Sequence, residues 1–216
     1  DCKDDIPLPD PAAVIATDNC SIATVVVKPP AITGDGCSYW PRTVIYWYVA
    51  MDACGNTAFC DQTFIAKDDV PPAVNCPENA TVQCETEAPA CPASLAAFLA
   101  LPGASATDNC DTLLSYVCIP GTLVGGPCGG TITHTFQVMD DCGNTGSCVQ
   151  IITVNDTIPP VIACPAVSSP IECPATPAFG PATATDNCAP APTISFSDAT
   201  TPGVCPQEYS VTRSWT

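Results

Sequence analysis

The chain has 216 residues, a net charge of −17 and 17 cysteines, but only two methionines and one histidine. Because only five residues are basic, no basic stripe is present to contact phosphates, and the composition argues against nucleic-acid binding. The cysteine content predicts an oxidising, extracellular compartment, since the paired C-x2-C knuckles of structural zinc sites are absent. No apolar run reaches membrane-spanning length, so we expect no membrane insertion.

A near-duplicated motif indicates internal repetition. The sequence DACGNTAFCDQ at 52–62 returns as DDCGNTGSCVQ at 140–150, and each copy lies between two apolar runs. This pattern predicts a strand, a tight Gly-Asn turn and a second strand. TDNC recurs at 17–20, 107–110 and 185–188, which gives a period of roughly 78 to 90 residues, the size of a small β-sandwich. We therefore predict an all-β chain of three repeats, at 1–69, 70–157 and 158–216.

The first repeat opens with a Pro-rich connector, followed by the short strand IATVVVKPP and the longer strand TVIYWYVAM. In the longer strand, Val44, Tyr46, Tyr48 and Ala50 alternate and are predicted to share one face. The linkers 67–72 and 155–160 each end in two prolines, which indicates stiff joints between repeats. The first repeat lacks an opening strand and the third lacks its last, so we expect either the same polypeptide or a neighbouring subunit to supply them.

The middle repeat carries an insertion at about 86–104, in which SLAAFLAL predicts a short helix. The extra cysteines, Cys91 and Cys118, are absent from the other repeats and are predicted to pair with each other. His134, the single histidine, alternates with Ile132 and Phe136, so we predict a satisfied strand histidine and not a catalytic or metal-binding one. The sequence shows no catalytic constellation, and we expect neither enzymatic activity nor an organic cofactor.

The ordered pattern TVQC, ATDNC, D-x-CGNT and PP-x3-CP resembles the hyalin-repeat (HYR) family, in particular its cysteine-rich bacterial relatives. The resemblance covers the whole chain, counting partial repeats. It implies tandem immunoglobulin-like β-sandwiches, stabilised by disulfides, in secreted or surface proteins with adhesive or structural roles. It implies no enzymatic activity.

The implied immunoglobulin-like topology places the TDNC loop and the D-x-CGN hairpin at the same end of each repeat. The disulfides expected on this basis, together with Cys91–Cys118, are Cys2–Cys37, Cys20–Cys54, Cys76–Cys148, Cys84–Cys128, Cys110–Cys142 and Cys173–Cys205. Cys60, Cys164 and Cys188 would then have partners outside the sequence. Pairing between sequence neighbours (Cys54–Cys60, Cys76–Cys84, Cys110–Cys128) is the alternative, because spacing alone does not fix connectivity.

Recurrent acidic residues indicate a possible calcium site at each joint. Carboxylates beside the TDNC loop and the D-x-CGN hairpin turn can cap these turns through hydrogen bonds, without a metal ion. In a tandem array, however, the linker of one repeat meets the loops of the next, and Ca2+ favours such a cluster of oxygens. The predicted ligands are Asp68, Asp69, Asp108, Asn109, Asp140 and Asp141 at the first joint, and Asp156, Asp186 and Asn187 at the second.

Short acceptor patterns suggest a glycoprotein. They are Asn79 and Asn155 for N-glycosylation, and Thr112 and Thr157 for O-glycosylation.

From these features we predict an extracellular, non-enzymatic structural protein that forms a filament or a long surface stalk. Its expected partners are copies of itself or further repeats of the same chain. An adhesion module that binds a surface glycan or protein is the first alternative. Accessory repeats of a secreted hydrolase are the second.

Overall fold

A computed structural model describes residues 2, 5–37, 40–126, 129–166, 170–172, 175–189, 191–205 and 207–216. The described residues are all-β, as predicted, with one short α-helix, α1 (Leu95–Leu99). The strands are β1 (Thr24–Val27), β2 (Ala31–Thr33), β3 (Arg42–Met51), β4 (Thr57–Ala66), β5 (Ala73–Asn75), β6 (Ala80–Val82), β7 (Ser105–Thr107), β8 (Ser115–Ile119), β9 (Val124–Gly126), β10 (Gly129–Met139), β11 (Thr145–Asn155), β12 (Val161–Ala163), β13 (Thr183–Thr185), β14 (Phe196–Pro202) and β15 (Tyr209–Trp215). No helix among these residues is both long and apolar enough to cross a membrane.

The chain divides into two compact units that do not coincide with the three sequence repeats. The first comprises 1–78, 91–120 and 134–150, and the second comprises 79–90, 121–133 and 151–216. The middle repeat contributes to both units, because the division passes through β10 and β11. The three repeats therefore remain a description of the sequence.

The first unit contains the sheet of the first repeat, in which β3 pairs antiparallel with β1, β2 and β4. Val49 is buried on the opposite face of β3, whereas Val44, Tyr46 and Tyr48 are buried, and Ala50 half-buried, on the predicted face. This face packs against Ile6, Val14, Val25, Val27 and Phe64. The Tyr46 hydroxyl donates to the Pro7 carbonyl (3.1 Å), so the Pro-rich connector is anchored to the core.

Residues 91–104 of the middle repeat's insertion also lie in the first unit and form the predicted short helix. Ser94 caps α1, because its hydroxyl accepts from the Ala97 N–H at 3.2 Å. Phe98 of α1 is fully buried, with its ring 5.0 Å from that of Phe136 and 5.3 Å from that of Tyr116. The insertion thus contributes a core residue.

The second unit has its core at one end of the long hairpin that β10 and β11 form. Ile132, Ile152 and Val154 are buried against Ala80, Val82, Ala88 and Leu123. β6 pairs in parallel with residues 152–154 of β11, and β9 pairs with residues 129–131 of β10. Further along the chain, β12 pairs with β13 and β14 with β15.

The two copies of the D-x-CGN motif form nearly identical turns. Gly55 and Gly143 take positive φ angles of 87° and 85°, as the predicted tight turn requires. Asn56 and Asn144 do not take positive φ and instead donate their side-chain amides to Asp52 and Asp140, at 2.7 and 2.9 Å. The same aspartates also accept the backbone N–H of these asparagines, at 2.8 Å in both turns.

Candidate functional site

Five disulfides connect the described residues, and three of them join different sequence repeats. Cys76–Cys148 lies within the middle repeat, and Cys91–Cys118 ties the insertion to β8, so both match the prediction. The other three disulfides are Cys2–Cys110, Cys37–Cys142 and Cys84–Cys188, with sequence separations of 108, 105 and 104 residues. Each of these separations exceeds one repeat.

Cys2–Cys110 and Cys84–Cys188 are the same bridge, one repeat apart. Cys2 and Cys84 each precede a TDNC motif within their own repeat, whereas Cys110 and Cys188 each end the TDNC motif of the following repeat. Both bridges therefore run from the early cysteine of one repeat to the TDNC cysteine of the next. Cys37–Cys142 follows the same logic, since it joins the cysteine before β3 to the hairpin cysteine of the next repeat.

These bridges correct most of the pairing predicted within repeats. The predicted Cys2–Cys37, Cys84–Cys128 and Cys110–Cys142 are wrong, because at least one cysteine of each pair is bonded to a different repeat. Cys20, Cys54 and Cys205 are unbridged, which contradicts Cys20–Cys54 and Cys173–Cys205. Cys128 and Cys173 themselves lie outside the described residues. Cys188 was expected to lack a partner in the chain and instead bonds Cys84.

The physical reason lies in the loops. The prediction that the TDNC loop and the hairpin turn lie together holds, since the Asp141 N–H donates to the Asp111 carboxylate at 3.2 Å. Cys110 and Cys142, however, both bond cysteines of the first repeat. The TDNC loop and the hairpin turn of the middle repeat thus both form disulfides with the first repeat.

Each TDNC loop is held by its aspartate. Asp108 Oδ1 accepts the backbone N–H groups of Cys110 and Asp111, at 2.8 and 2.9 Å. Asp186 Oδ1 does the same for Cys188 and Ala189, at 2.9 and 2.7 Å. These bonds fix the turn that presents the bridging cysteine.

Four carboxylates meet at the first joint, which we define as the linker residue Asp68, the 107–111 loop and the 140–144 turn. Oxygens of Asp68, Asp108, Asp111 and Asp140 all lie within 4.8 Å of one another. Asp68 and Asp140 are buried, with 4% and 5% of their surfaces exposed. Asp68, Asp108 and Asp140 were predicted ligands, and the structure brings them together. Asp111 was missed, because the other repeats have Ser21 and Ala189 at its position.

The donor set of this cluster suits a hard divalent cation. Two ionised carboxylates 4.8 Å apart repel each other by about 3 kcal/mol at an effective dielectric constant of 20, and a bound cation offsets that repulsion. Asp108 Oδ2 is buried without a hydrogen-bond partner among the described residues. The oxygens available here are of the kind that Ca2+ prefers.

Three of the predicted ligands lie outside the cluster. Asp69 is half-exposed and forms an ion pair with Lys67, which holds the pKa of that carboxyl below its usual value. Asp141 is exposed, and its backbone N–H donates to the Asp111 carboxylate. The Asn109 side chain donates to Cys110 Sγ at 2.8 Å, so its amide lies on the disulfide.

The second joint, formed by Asp156 and the 185–189 loop, is a reduced version of the first. Carboxylate oxygens of Asp156 and Asp186 lie within 4.8 Å of each other and of Cys188 Sγ, which the disulfide occupies. Asn187 donates its amide to Cys84 Sγ and Cys188 Sγ, at 3.1 and 2.9 Å. Two carboxylates meet at this joint, against four at the first, and Ala189 stands in the place of Asp111.

The predicted glycosylation acceptors are all exposed. Asn79 Oδ1 accepts the Ile151 N–H at 2.9 Å, and the Thr157 hydroxyl donates to Gln83 Oε1 at 3.1 Å. Thr112 lies beside the 107–111 loop, and Asn155 ends β11. His134 lies on β10 as predicted, where it is 5% exposed and at an edge-to-face angle to Phe136.

Comparison with known proteins adds no assignment: no family model and no curated protein matches this chain. The disulfide-rich all-β fold fits an immunoglobulin-like description, and five disulfides are characteristic of secreted proteins.

Proposed function

We propose that the chain is part of an extracellular, non-enzymatic structural protein, in which tandem HYR-like repeats of immunoglobulin-like type form a filament or long stalk. The observation that carries the proposal is the repetition of one bridge, Cys2–Cys110 and Cys84–Cys188, between successive repeats. Proteins that fold as separate domains need no such bond. A covalent bond from each repeat to the next is useful where the array must resist separation.

The insertion offers little support for the adhesion alternative. Its largest apolar side chain, Phe98, is fully buried and contributes to the core. Cys91–Cys118 ties the same segment to β8. An adhesive function would require an exposed patch elsewhere.

Electron microscopy of the native material tests the proposal. We expect fibres or stalks whose thickness matches a single file of small domains. Separate globular particles, with no fibres at any stage of purification, would overturn it. A catalytic activity that co-purifies with the chain and requires it would favour the hydrolase alternative.

We further propose that Ca2+ binds at the first joint, through Asp68, Asp108, Asp111 and Asp140. The support is the convergence of four carboxylates and the buried Oδ2 of Asp108. A chelator should lower the melting temperature, and Ca2+ should restore it. Unchanged melting with and without chelator, together with no binding heat in calorimetry, would exclude the site.

A further inference from the structure

Among the residues that the structure describes, five exposed cysteines are unbridged, and each occupies a position that is bridged in another repeat. They are Cys20, Cys54, Cys60, Cys164 and Cys205. Cys20 is the counterpart of Cys110 and Cys188, because all three end a TDNC motif. Cys54 is the counterpart of Cys142 in the duplicated hairpin. In both cases the bridged counterpart bonds a cysteine of the preceding repeat.

The loops of the first repeat already have the bridged conformation. Asp18 Oδ1 accepts the N–H groups of Cys20 and Ser21, both at 2.8 Å, as Asp108 does in the middle repeat. The two loops also contact each other, since the Ala53 N–H donates to the Ser21 hydroxyl at 3.4 Å. Cys20 and Cys54 are thus held in the same setting as Cys110 and Cys142.

A second observation concerns β4, the counterpart of β11. β11 is covered by β6 over residues 152–154, and Gln150 donates to the Glu78 carbonyl at 2.7 Å. Among the described strands, β4 pairs with β3 alone. Gln62, the counterpart of Gln150, is exposed, as are Phe59 (64%) and Ile65 (68%). The first repeat therefore has an uncovered edge where the middle repeat has a strand.

From these relationships we propose that Cys20 and Cys54 are cross-linking sites for a preceding repeat of the same type, and that Cys205 is the matching site for a following one. This inference rests on the proposed tandem array and names the partner at its ends. Cys20 bonds the counterpart of Cys84, and Cys54 bonds the counterpart of Cys37. Cys205 precedes β15 as Cys37 precedes β3, which makes it the counterpart of Cys37, and it bonds the hairpin cysteine of the next repeat.

The remaining two thiols follow the bridge found within the middle repeat. Cys60 is the counterpart of Cys148, and Cys164 is the counterpart of Cys76, at the same spacing across a Pro-Pro pair. Each bridge forms when two thiols lose two protons and two electrons to a disulfide-bearing oxidant, which becomes a dithiol. The same bridging pattern thus accounts for every unbridged cysteine among the described residues.

Disulfide mapping of the native protein tests this inference. The protein is alkylated under denaturing, non-reducing conditions, digested and analysed by mass spectrometry. We expect Cys20 and Cys54 to be absent from the alkylated peptides and present in peptides linked to a second cysteine-containing sequence. Alkylation of both cysteines before reduction would overturn the inference.

A non-reducing denaturing gel identifies the source of the partner repeat. If the repeat belongs to another chain, Cys20→Ser/Cys54→Ser releases a smaller species. If it belongs to the same polypeptide, the mass is unchanged and the linked peptides alone disappear. Cys91→Ser/Cys118→Ser is the matched control, because it removes two cysteines bridged within the middle repeat and leaves both links intact. Fibres in which Cys20 and Cys54 are alkylated would refute the cross-links while leaving the structural function in place.

Discussion

Asn109 and Asn187 occupy the same position on two equivalent disulfides, each with its side-chain amide directed at the sulfur of the adjacent cysteine, at 2.8 and 2.9 Å. In each motif the preceding aspartate instead accepts two backbone N–H groups. The TDNC motif therefore separates two roles. Its aspartate holds the turn, and its asparagine covers the bridge.

This separation predicts unequal effects of two neighbouring substitutions. Asp186→Ala removes the acceptor of two backbone N–H groups and should lower the stability of the second unit by about 1–2 kcal/mol. Asn187→Ala removes only two weak amide–sulfur contacts and should cost less than about 1 kcal/mol. Chemical denaturation in chelator, which removes any effect of a bound cation, compares them. An equal or larger effect of Asn187→Ala would contradict the assignment.

The bridges between repeats predict a specific tryptic map. Digestion after Lys3, Arg42 and Lys67 without reduction frees the backbone of 4–42, which contains Cys37, since trypsin does not cleave the Lys28–Pro29 bond. Because Cys37 bonds Cys142, this peptide should stay attached to 68–213. Mass spectrometry under non-reducing conditions provides the measurement. Cys142→Ser should release the attachment, whereas Cys118→Ser should not. Attachment of 4–42 to the short peptide that contains Cys2, in place of 68–213, would restore the pairing within repeats.

The carboxylate cluster predicts a substitution whose effect changes sign with calcium. Asp111→Ser introduces the residue of the first repeat, Ser21, and leaves Asp108 to hold the turn. In chelator the variant should melt higher than the parent, because one repelling charge is gone. In Ca2+ it should melt lower, because a ligand is gone.

Asp69→Asn is the control for that experiment, since Asp69 pairs with Lys67 outside the cluster. Its response to Ca2+ should equal that of the parent. If Asp111→Ser behaves like Asp69→Asn in both conditions, the four carboxylates do not bind the ion.

Acid should weaken the second unit through Asp198. The Arg213 guanidinium donates to both carboxylate oxygens at 2.7 Å and holds the pKa of Asp198 below its ordinary value of 3.8. A carboxyl with a lowered folded-state pKa contributes stability above its unfolded pKa and loses it as the pH falls through the folded pKa. Melting curves of the parent and Asp198→Asn should therefore differ at pH 6 and converge below pH 3.8. A difference of the same size at every pH, from 6 down to the acid limit of the experiment, would assign the effect to packing.

The sequence was sufficient for the strands, the hairpin turns and the helix of the insertion. Alternation in TVIYWYVAM and the capping serine before LAAFL are local signals. Such signals do not depend on which repeats are bonded to each other. The pairing of cysteines is different. A shift of the partner by one repeat leaves the sequence around each cysteine unchanged, so spacing does not distinguish Cys2–Cys37 from Cys2–Cys110.

The carboxylate cluster was partly predictable for a related reason. Asp68, Asp108 and Asp140 have counterparts at equivalent positions of other repeats, and this recurrence identified them as candidate ligands. Asp111 does not recur, and its place in the cluster follows only from the contact between the loop and the hairpin turn. The side chains of Asn109 and Asn187 carry an amide oxygen that could bind a cation, but in the structure their amides donate to cysteine sulfur.

The overlapping bridges also limit how far the chain can be stretched. Between Cys2 and Cys188 the shortest covalent route passes through Cys2–Cys110, residues 110–118, Cys118–Cys91, residues 91–84 and Cys84–Cys188. Fully extended, that route measures about 70 Å, whereas the unbridged backbone between the same residues would reach about 650 Å. A pulling force applied at these two cysteines can therefore unfold strands with only a small increase in the distance between them. The maximum extension of this part of the chain is limited by its disulfides rather than by the stability of its sheets.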